Sequence, residues 1–366
     1  MVNKKMIYDN LILNDKIWFE IEKMVENNKL PHALLFHGPN GSGKEAHALE
    51  LAALLNNYNN NNNNKVKINK FQHPNINLII PMPREKNINK RSNALDCLSE
   101  KSFEHLIEMK KKKMQSPYQN VQFDKASSIL INSVRDIKKN LHLSVDQGSV
   151  VHIIFEAEKL CLPKTEPGNA LLKILEEPPS NTFFILVASN KDKLLDTIIS
   201  RCCDFYFPRI NNTKIKTYFE NKLQIENLDL LINITNGSMK QINNILDSDI
   251  DVQDLIADAK SVVSKLMKNN DWQQNYKKIE QLFKSDKQTF KIFFKILIFI
   301  FNDLEKIKNN NYDCLILEGI KKTKDLNYSL CVEIIETTYQ NLYKNLNPSI
   351  GLAAMFIDIK KILYKD

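Results

Sequence analysis

Apolar positions at Ile17, Ile21, Met24 and Val25 recur at the three- and four-residue spacing of a single helix face, so the chain is read as beginning with an amphipathic helix. It passes through "NNKLPH" into the short apolar run "ALLF" at 33–36, a buried strand, then a glycine-rich turn and a second helix. From 126 onward the same alternation returns. "SSILINSVRDIKKNLHLS" predicts a helix over 127–144, "SVVHIIF" a buried strand over 149–155, "GNALLKILEEPP" a helix over 168–179 stopped by its prolines, and "TFFILVAS" a buried strand over 182–189. Strands that read as continuous apolar runs are covered on both faces, and their alternation with helices predicts a mostly parallel sheet.

Two stretches break this pattern. "NNYNNNNNNKVKINK" at 56–70 has almost no apolar content and is expected to be a mobile surface loop. Residues 84–125 hold few apolar positions and include four consecutive lysines at 110–113; they are expected to form a solvated insertion, with contact to DNA phosphates as the alternative. After "CDFYFPRI" the character changes. Residues 212–250 read as a small group of helices and 251–366 as helical throughout, the last helix having Asn347 as cap and Pro348 at its first position. The most apolar run, 292–301, is interrupted by Lys295 and is shorter than the roughly 20 residues of a membrane span. Phe290, Phe293, Phe294, Leu297, Phe301 and Leu304 keep helical spacing there, which predicts a packed helix.

At 366 residues the chain exceeds the usual size of one domain, which agrees with three parts: a core over 1–211 with an insertion around 84–125, a helical lid over 212–250, and a C-terminal helical domain over 251–366. A net charge of +8 is compatible with a nucleic-acid partner without demonstrating one. The six cysteines form no CxxC pair, and the start resembles no signal peptide, so a reduced cytoplasmic protein without a membrane anchor is expected.

The chemistry begins at "GPNGSGKE". Gly38, Gly41, Gly43 and Lys44 meet the requirements of a phosphate loop: glycines that let backbone N–H groups turn toward phosphate oxygens at a helix N-terminus, and a lysine that places a charge on the outer phosphates. The next position should hold the hydroxyl that binds magnesium, and here it is Glu45. A second acidic site is expected at the end of a buried strand. That strand ends in Phe155, followed by Glu156 and Glu158, with no aspartate; the two glutamates either meet a metal or stand as solvated carboxylates at a helix start.

The stretch "NALLKILEEPPSNTFFILVASNKDKLLDTIISRCCDFYF" at 169–207 closely resembles the bacterial clamp-loader subunits, a branch of the AAA+ ATPases. With "LPHALLFHGPNGSGK" and "HPNINLIIP" added, it is similar to the delta-prime branch of the DNA polymerase III clamp loader over about residues 17–210. The resemblance implies an α/β P-loop core with a parallel sheet, a helical lid and an all-α collar that joins a ring of related subunits. It implies that Arg201 of the triplet Ser200, Arg201, Cys202 projects into a neighbour's nucleotide site as an arginine finger, that Ser189 stands at the sensor-1 position, and that Lys240 in "GSMK" stands at the sensor-2 position, where active members carry arginine. The implied partners are tau/gamma and delta subunits, the sliding clamp, and primed DNA reached through the complex.

Departures from that pattern carry expectations of their own. Many relatives hold a four-cysteine zinc module between the phosphate-loop helix and "HPNINLIIP"; this chain has no cysteine there and His73 does not replace it, so no zinc or other metal site is expected. With Glu45, Phe155 and Lys240 off pattern, ATP hydrolysis in the chain's own site is not expected, while ATP binding through Lys44 stays open. Two alternatives remain: an ATP-hydrolysing tau/gamma-type motor subunit of the same loader, and a small-molecule P-loop kinase, which the helical C-terminal third and the SRC triplet disfavour.

Overall fold

The structure is a computed structural model that describes residues 6–56, 62–140, 148–220, 227–268, 272–342, 344 and 347–364. The chain divides into two compact units, one formed by residues 1–224 and 237–244 and the other by 225–236 and 245–366, so that 212–250 is shared between them.

The first unit is built on five strands: β1 (Ala33–His37), β2 (Ile76–Ile79), β3 (Val150–Phe155), β4 (Thr182–Ala188) and β5 (Cys203–Tyr206). They form one sheet in the order β2-β3-β4-β1-β5, every neighbouring pair parallel, as the buried apolar runs predict. Before residue 224 its described helices are α1 (Asp15–Glu26), α2 (Lys44–Leu55), α3 (Asn62–Asn69), α4 (Glu100–Gln115), α5 (Ile131–Asn140), α6 (Glu166–Glu176), α7 (Asp196–Ile199) and α8 (Asn212–Glu220). Side chains alternate along each strand, so the sheet feeds two cores. Leu34, Phe36, Val151, Ile153, Phe155, Ile185 and Val187 face one side with Trp18 and Ile21 of α1, Ala48 and Leu51 of α2, and Leu106 and Met109 of α4. Leu35, Ile154, Phe184 and Leu186 face the other with Val134 and Ile137 of α5 and Leu171 and Ile174 of α6. The result is a three-layer α/β core.

Four expectations need correction. Of the asparagine-rich tract, 62–69 is helix α3 and not loop, because Ile68 is buried against Ile7, Ala53, Ile76 and Met114; residues 57–61 lie outside the described residues. The segment 84–125 is not a solvated insertion. Ala94, Cys97, Leu98, Leu106, Met109, Val121 and Phe123 are all buried in the first core, and the apolar content is merely spread thinly. The lysines at 110–113 do not share a face, since successive helical residues point about 100° apart. Lys110 covers the Phe71 ring at 5.7 Å, Lys112 pairs with Glu108 at 2.9 Å on the surface, and Lys113 is buried. Finally, α5 starts at Ile131, later than expected, because Ile129 donates its N–H to the Lys159 carbonyl at 3.0 Å; residues 141–147 are outside the description. Helix α6 ends at Glu176, because Glu177 precedes Pro178 and is driven out of the helical region, to φ −130° and ψ 71°.

Helix α10 (Met239–Leu246) belongs to the first unit as far as Asn244, after α9 (Leu228–Ile234) of the second. The second unit continues with α11 (Val252–Met267), α12 (Trp272–Ser285), α13 (Lys287–Lys308), α14 (Tyr328–Leu342) and α15 (Pro348–Leu363), with no strand among its described residues. Its centre is α13. Asp286 caps it by accepting from Gln288 and Thr289 N–H, and Phe290, Phe293, Phe294, Leu297, Phe301 and Leu304 are all buried, as their spacing predicts. Phe290 and Phe294 bring their rings to 4.4 Å. Asn347 caps α15 by accepting from Ser349 N–H at 3.0 Å, with Pro348 at the first position. No helix among the described residues is long and apolar enough to cross a membrane.

One buried carboxylate organises the connection after α13. Asp303 is 1% exposed and accepts from the N–H groups of Leu315, Ile316 and Leu317 at 3.2, 2.7 and 3.1 Å. Removing it leaves buried donors without acceptors, each costing about 1–3 kcal/mol. Asp303→Ala in the full chain should therefore lower stability by about 3 kcal/mol in urea denaturation followed by circular dichroism; a loss under about 0.5 kcal/mol, typical of a surface substitution, would contradict this.

Candidate functional site: a phosphate-loop crevice with an internal ion cluster

The register of the sheet decides what meets at its edge. Because β1, β3 and β4 are parallel and adjacent, with His37 opposite Ala188 and Phe155 opposite Val187, their carboxyl ends open on the same side. The residues that follow, Gly38, Glu156 and Ser189, are delivered into one crevice, the place where open α/β sheets hold ligands. The cavity there has a volume of about 420 Å³ and is lined among others by Gly41, Gly43, Lys44, Glu45, Lys113, Glu156, Glu158, Ser189 and Lys240. Nine of the residues expected to form a nucleotide-type site thus line it or, as with Gly38, open it.

The loop needs its glycines for two different reasons. Gly38 has φ +139°, and a Cβ there would sit 2.2 Å from the Phe207 carbonyl oxygen; Gly41 has φ +79°, and a Cβ would sit 2.3 Å from Ser238 Oγ. Lys44 at the start of α2 is buried and turned onto its own loop, donating to the carbonyls of Gly38 and Pro39 at 2.7 Å each and to Ser42 Oγ at 3.4 Å. Burial outweighs the pull of Glu45 and Glu158 and lowers its pKa to about 8. His47, one turn further along α2, locks the helix start. Its Nε2 accepts from Asn14 N–H at 3.1 Å and its Nδ1 lies 2.9 Å from the Gly43 carbonyl, which requires the neutral ring with the proton on Nδ1; burial lowers its pKa to about 4.

Glu45 is the centre of the site. Its Oε2 lies 2.6 Å from Lys113 Nζ and its Oε1 3.3 Å from Lys240 Nζ, so one carboxylate carries two ammoniums. Lys113 is 1% exposed and spends its remaining donors on the carbonyls of Pro117 at 3.0 Å and Gln119 at 2.9 Å, while its Nζ stands 5.6 Å from the centroid of the Phe155 ring. Burial alone would raise the Glu45 pKa, yet Lys113 first and Lys240 second overcome it and hold the carboxyl down to about 2 from an ordinary 4.5. Sequence reading had no means of finding Lys113. It comes from a charge run and meets Glu45 across 68 positions.

The acidic pair after β3 does open a short 3-10 helix, Ala157–Leu160, but it is not solvated. Glu156 adopts φ +51°, in the left-handed region, and its Oε2 is 2.7 Å from Lys159 and accepts from Gln122 at 3.3 Å. Glu158 accepts the Ser189 N–H with both oxygens, at 3.2 and 3.3 Å, and burial raises its pKa. The Ser189 hydroxyl donates in turn to Asn40 Oδ1 of the loop. Strand ends and loop are therefore already knitted together through side chains.

Arg201 lies elsewhere. It is not among the residues lining the cavity; its Nη2 donates to Glu176 Oε1 at 2.7 Å and its Nη1 to the Thr197 carbonyl at 2.8 Å, with about a third of the side chain exposed. Ser200 closes α7 by donating to Thr197 O at 3.2 Å, and burial pushes the Cys202 thiol up to about 12. Among the described residues no three His, Cys, Asp or Glu side chains stand together as a metal site, and His73 is used locally, accepting from Asn75 N–H at 3.3 Å.

The depressed Glu45 carboxyl makes a pH prediction. A group whose folded pKa lies below its unfolded value stabilises the fold above the unfolded pKa and loses that contribution as pH falls through the folded one. Stability should therefore decline between about pH 4.5 and pH 2 by on the order of 3 kcal/mol from this group. Glu45→Gln should flatten that part of the curve in acid denaturation; an unchanged slope would show that the carboxylate is not paired as described.

Comparison with known proteins identifies a family. A family model described as DNA polymerase III, delta subunit, matches residues 13–211. DNA polymerase III subunit tau of Bacillus subtilis is 25% identical over 250 residues, 66% of this chain and 38% of that protein. Replication factor C subunit 3 of Saccharomyces cerevisiae is 24% identical over 247 residues, 66% of this chain and 56% of that protein, and subunit tau of Escherichia coli is 30% identical over 138 residues, 36% of this chain and 21% of that protein. The chain thus spans about two fifths, a half and a fifth of these relatives' lengths. A solved DNA polymerase III gamma subunit-related protein from Thermotoga maritima overlays 94% of this chain and 99% of its own at 14% identity with a TM-score of 0.40, a loose likeness. The family match takes in the whole sheet, the phosphate loop and the SRC triplet, over more than half of the chain, and on it the chain belongs to the DNA polymerase III delta-subunit family.

Proposed function

We propose that this chain is a clamp-loader subunit of the delta-prime kind, a member of the ATP-driven assembly that opens a sliding clamp and places it on primed DNA, and that it turns over no ATP of its own. One observation carries the reading: in a chain of the DNA polymerase III family, the position of the magnesium-binding hydroxyl is Glu45, already bonded to two ammoniums, while the glycines and Lys44 of the loop remain. A hydrolytic P-loop site needs that hydroxyl and a strand-end aspartate to hold the metal that neutralises the transferring phosphoryl group. Here those positions are a paired carboxylate and Phe155.

In this reading the chain contributes to catalysis from outside its own cavity. Arg201 serves the ATP site of an adjacent tau/gamma subunit, leaving Glu176 and Thr197 to meet the γ phosphate as charge develops there. That Arg201 is not among the residues lining the chain's own cavity supports this. Ser189 and Lys240 stand as remnants of the sensor positions, and the all-helical second unit supplies the collar that joins the ring, with a delta subunit also present. The motor reading, a tau/gamma subunit with turnover in cis, has in its favour that tau subunits are among the relatives. The Glu45 cluster weighs against it.

Two measurements test this. The isolated chain should show no ATPase above background, and steady turnover abolished by Lys44→Ala would establish the motor reading. In a reconstituted loader, Arg201→Ala should leave folding and assembly intact and reduce DNA- and clamp-stimulated ATPase by at least the share of the one site it serves, since fingers of this kind contribute about 10³ to 10⁵ in rate at their own site in GTPases. Unchanged ATPase and unchanged clamp loading at equal assembly would reduce Arg201 to a surface residue.

A further inference from the structure

The phosphate loop raises the question of its metal. Nucleotide sites of this class hold magnesium between the residue after the loop lysine and the acidic residue at the end of the neighbouring strand. In this chain those places are Glu45 and Phe155, and the Lys113 ammonium stands between them, 2.6 Å from the carboxylate and 5.6 Å from the ring centroid. The residues present do not fit a divalent ion while the ammonium is there. An ion at the carboxylate would meet a unit positive charge at contact distance in a place shielded from water, and Phe155 offers it no oxygen.

We propose that Lys113 is a built-in cation that takes the place of the divalent metal, making the crevice independent of magnesium. Three features of the geometry support it. The ammonium is coordinated by three oxygens, Glu45 Oε2, Pro117 O and Gln119 O, one carboxylate and two carbonyls, which is the donor class that hard cations select. All three of its protons are used in this way. Its helix is anchored to the first core through Leu106 and Met109, and its own carbonyl accepts from the Tyr8 hydroxyl at 2.9 Å, so the ammonium is held in place from both ends.

The chemistry then follows from the protein alone. A metal that enters and leaves with nucleotide is replaced by a charge that cannot dissociate, and the carboxylate at the hydroxyl position is the counter-ion such a charge requires. Glu45 and Lys113 are two parts of one substitution: Lys113 alone would be a buried charge without a counter-ion, and Glu45 alone would keep only the longer contact with Lys240 at 3.3 Å, so losing either is destabilising. The inference bears on the nucleotide crevice and leaves the assembly reading untouched, since its test uses no partner subunit, no DNA and no nucleotide.

The test is thermal unfolding of the full chain with and without divalent cation. Wild-type protein should keep its midpoint in millimolar MgCl2 or MnCl2 relative to NaCl of equal ionic strength; a rise of several degrees would overturn the proposal. Lys113→Ala should unfold about 10 °C lower, as expected for breaking one side of a buried pair. The emptied three-oxygen site should then take the metal, raising the midpoint by about 3 °C in MgCl2 over the matched NaCl control. The double variant Glu45→Gln with Lys113→Ala should lose that response. A Lys113 that served only as a structural tie would give the loss of stability without any response to metal, and that result would overturn the proposal. Should Lys113→Ala not fold in plain buffer, refolding is compared with and without MgCl2: folded protein only with metal supports the assignment, and failure in both overturns it.

Discussion

The crevice of this chain depends on a carboxylate that would be untenable alone. Glu45 begins the helix behind the phosphate loop, where burial works against its charge, and only the ammoniums of Lys113 and Lys240 keep it ionised. Because Lys113 reaches it from α4 and Lys240 from α10, the pairing draws together three parts of the first unit that are far apart in sequence. Buried ion pairs of this kind seldom add much net stability over an apolar replacement, but removing one partner costs several kcal/mol. Their effect is therefore to tie the segment 84–125 to the loop: without Lys113 docked, Glu45 keeps only the longer contact with Lys240.

That constraint connects fold to function. A hydrolytic phosphate loop keeps its metal exchangeable and its lysine free for phosphate, whereas here the lysine of the loop is turned onto the loop's own carbonyls, the metal position carries an internal ammonium, and the strand-end glutamates are engaged by Lys159 and by the Ser189 N–H. The shape of a nucleotide site persists while its charges are satisfied from within. In the proposed reading a subunit built in this way suits a fixed role in an assembly whose turnover takes place elsewhere, and Arg201, outside the cavity, is the group proposed to act there.

Much of this was legible in the sequence, and the boundary of legibility has a physical cause. Nearly continuous apolar runs marked β1, β3 and β4 because strands covered on both faces need mostly apolar side chains, and the spacing of six aromatic and leucine residues marked the buried face of α13. The loop was visible because its glycines are demanded by local geometry, as the close approach of the Phe207 carbonyl to Gly38 shows. What escaped was pairing at a distance. Lys113 sits in a run of four lysines that looks solvated until helix geometry turns one of them inward, and Asp303 looks like any polar residue of a long helix until the backbone of 315–317 folds onto it. Helix α3 was hidden by its asparagines because one buried isoleucine, Ile68, gives too little periodicity to detect.

The central claim is that Glu45 and Lys113 act as one unit, and a double-mutant cycle on the full chain measures that directly. Urea denaturation of wild type, Glu45→Gln, Lys113→Met and the double variant gives the coupling between the two side chains. Pairing as described predicts that each single change is costly and that the double variant loses much less than their sum, a coupling of at least about 2 kcal/mol. Additive losses, with a coupling within about 0.5 kcal/mol of zero, would contradict it.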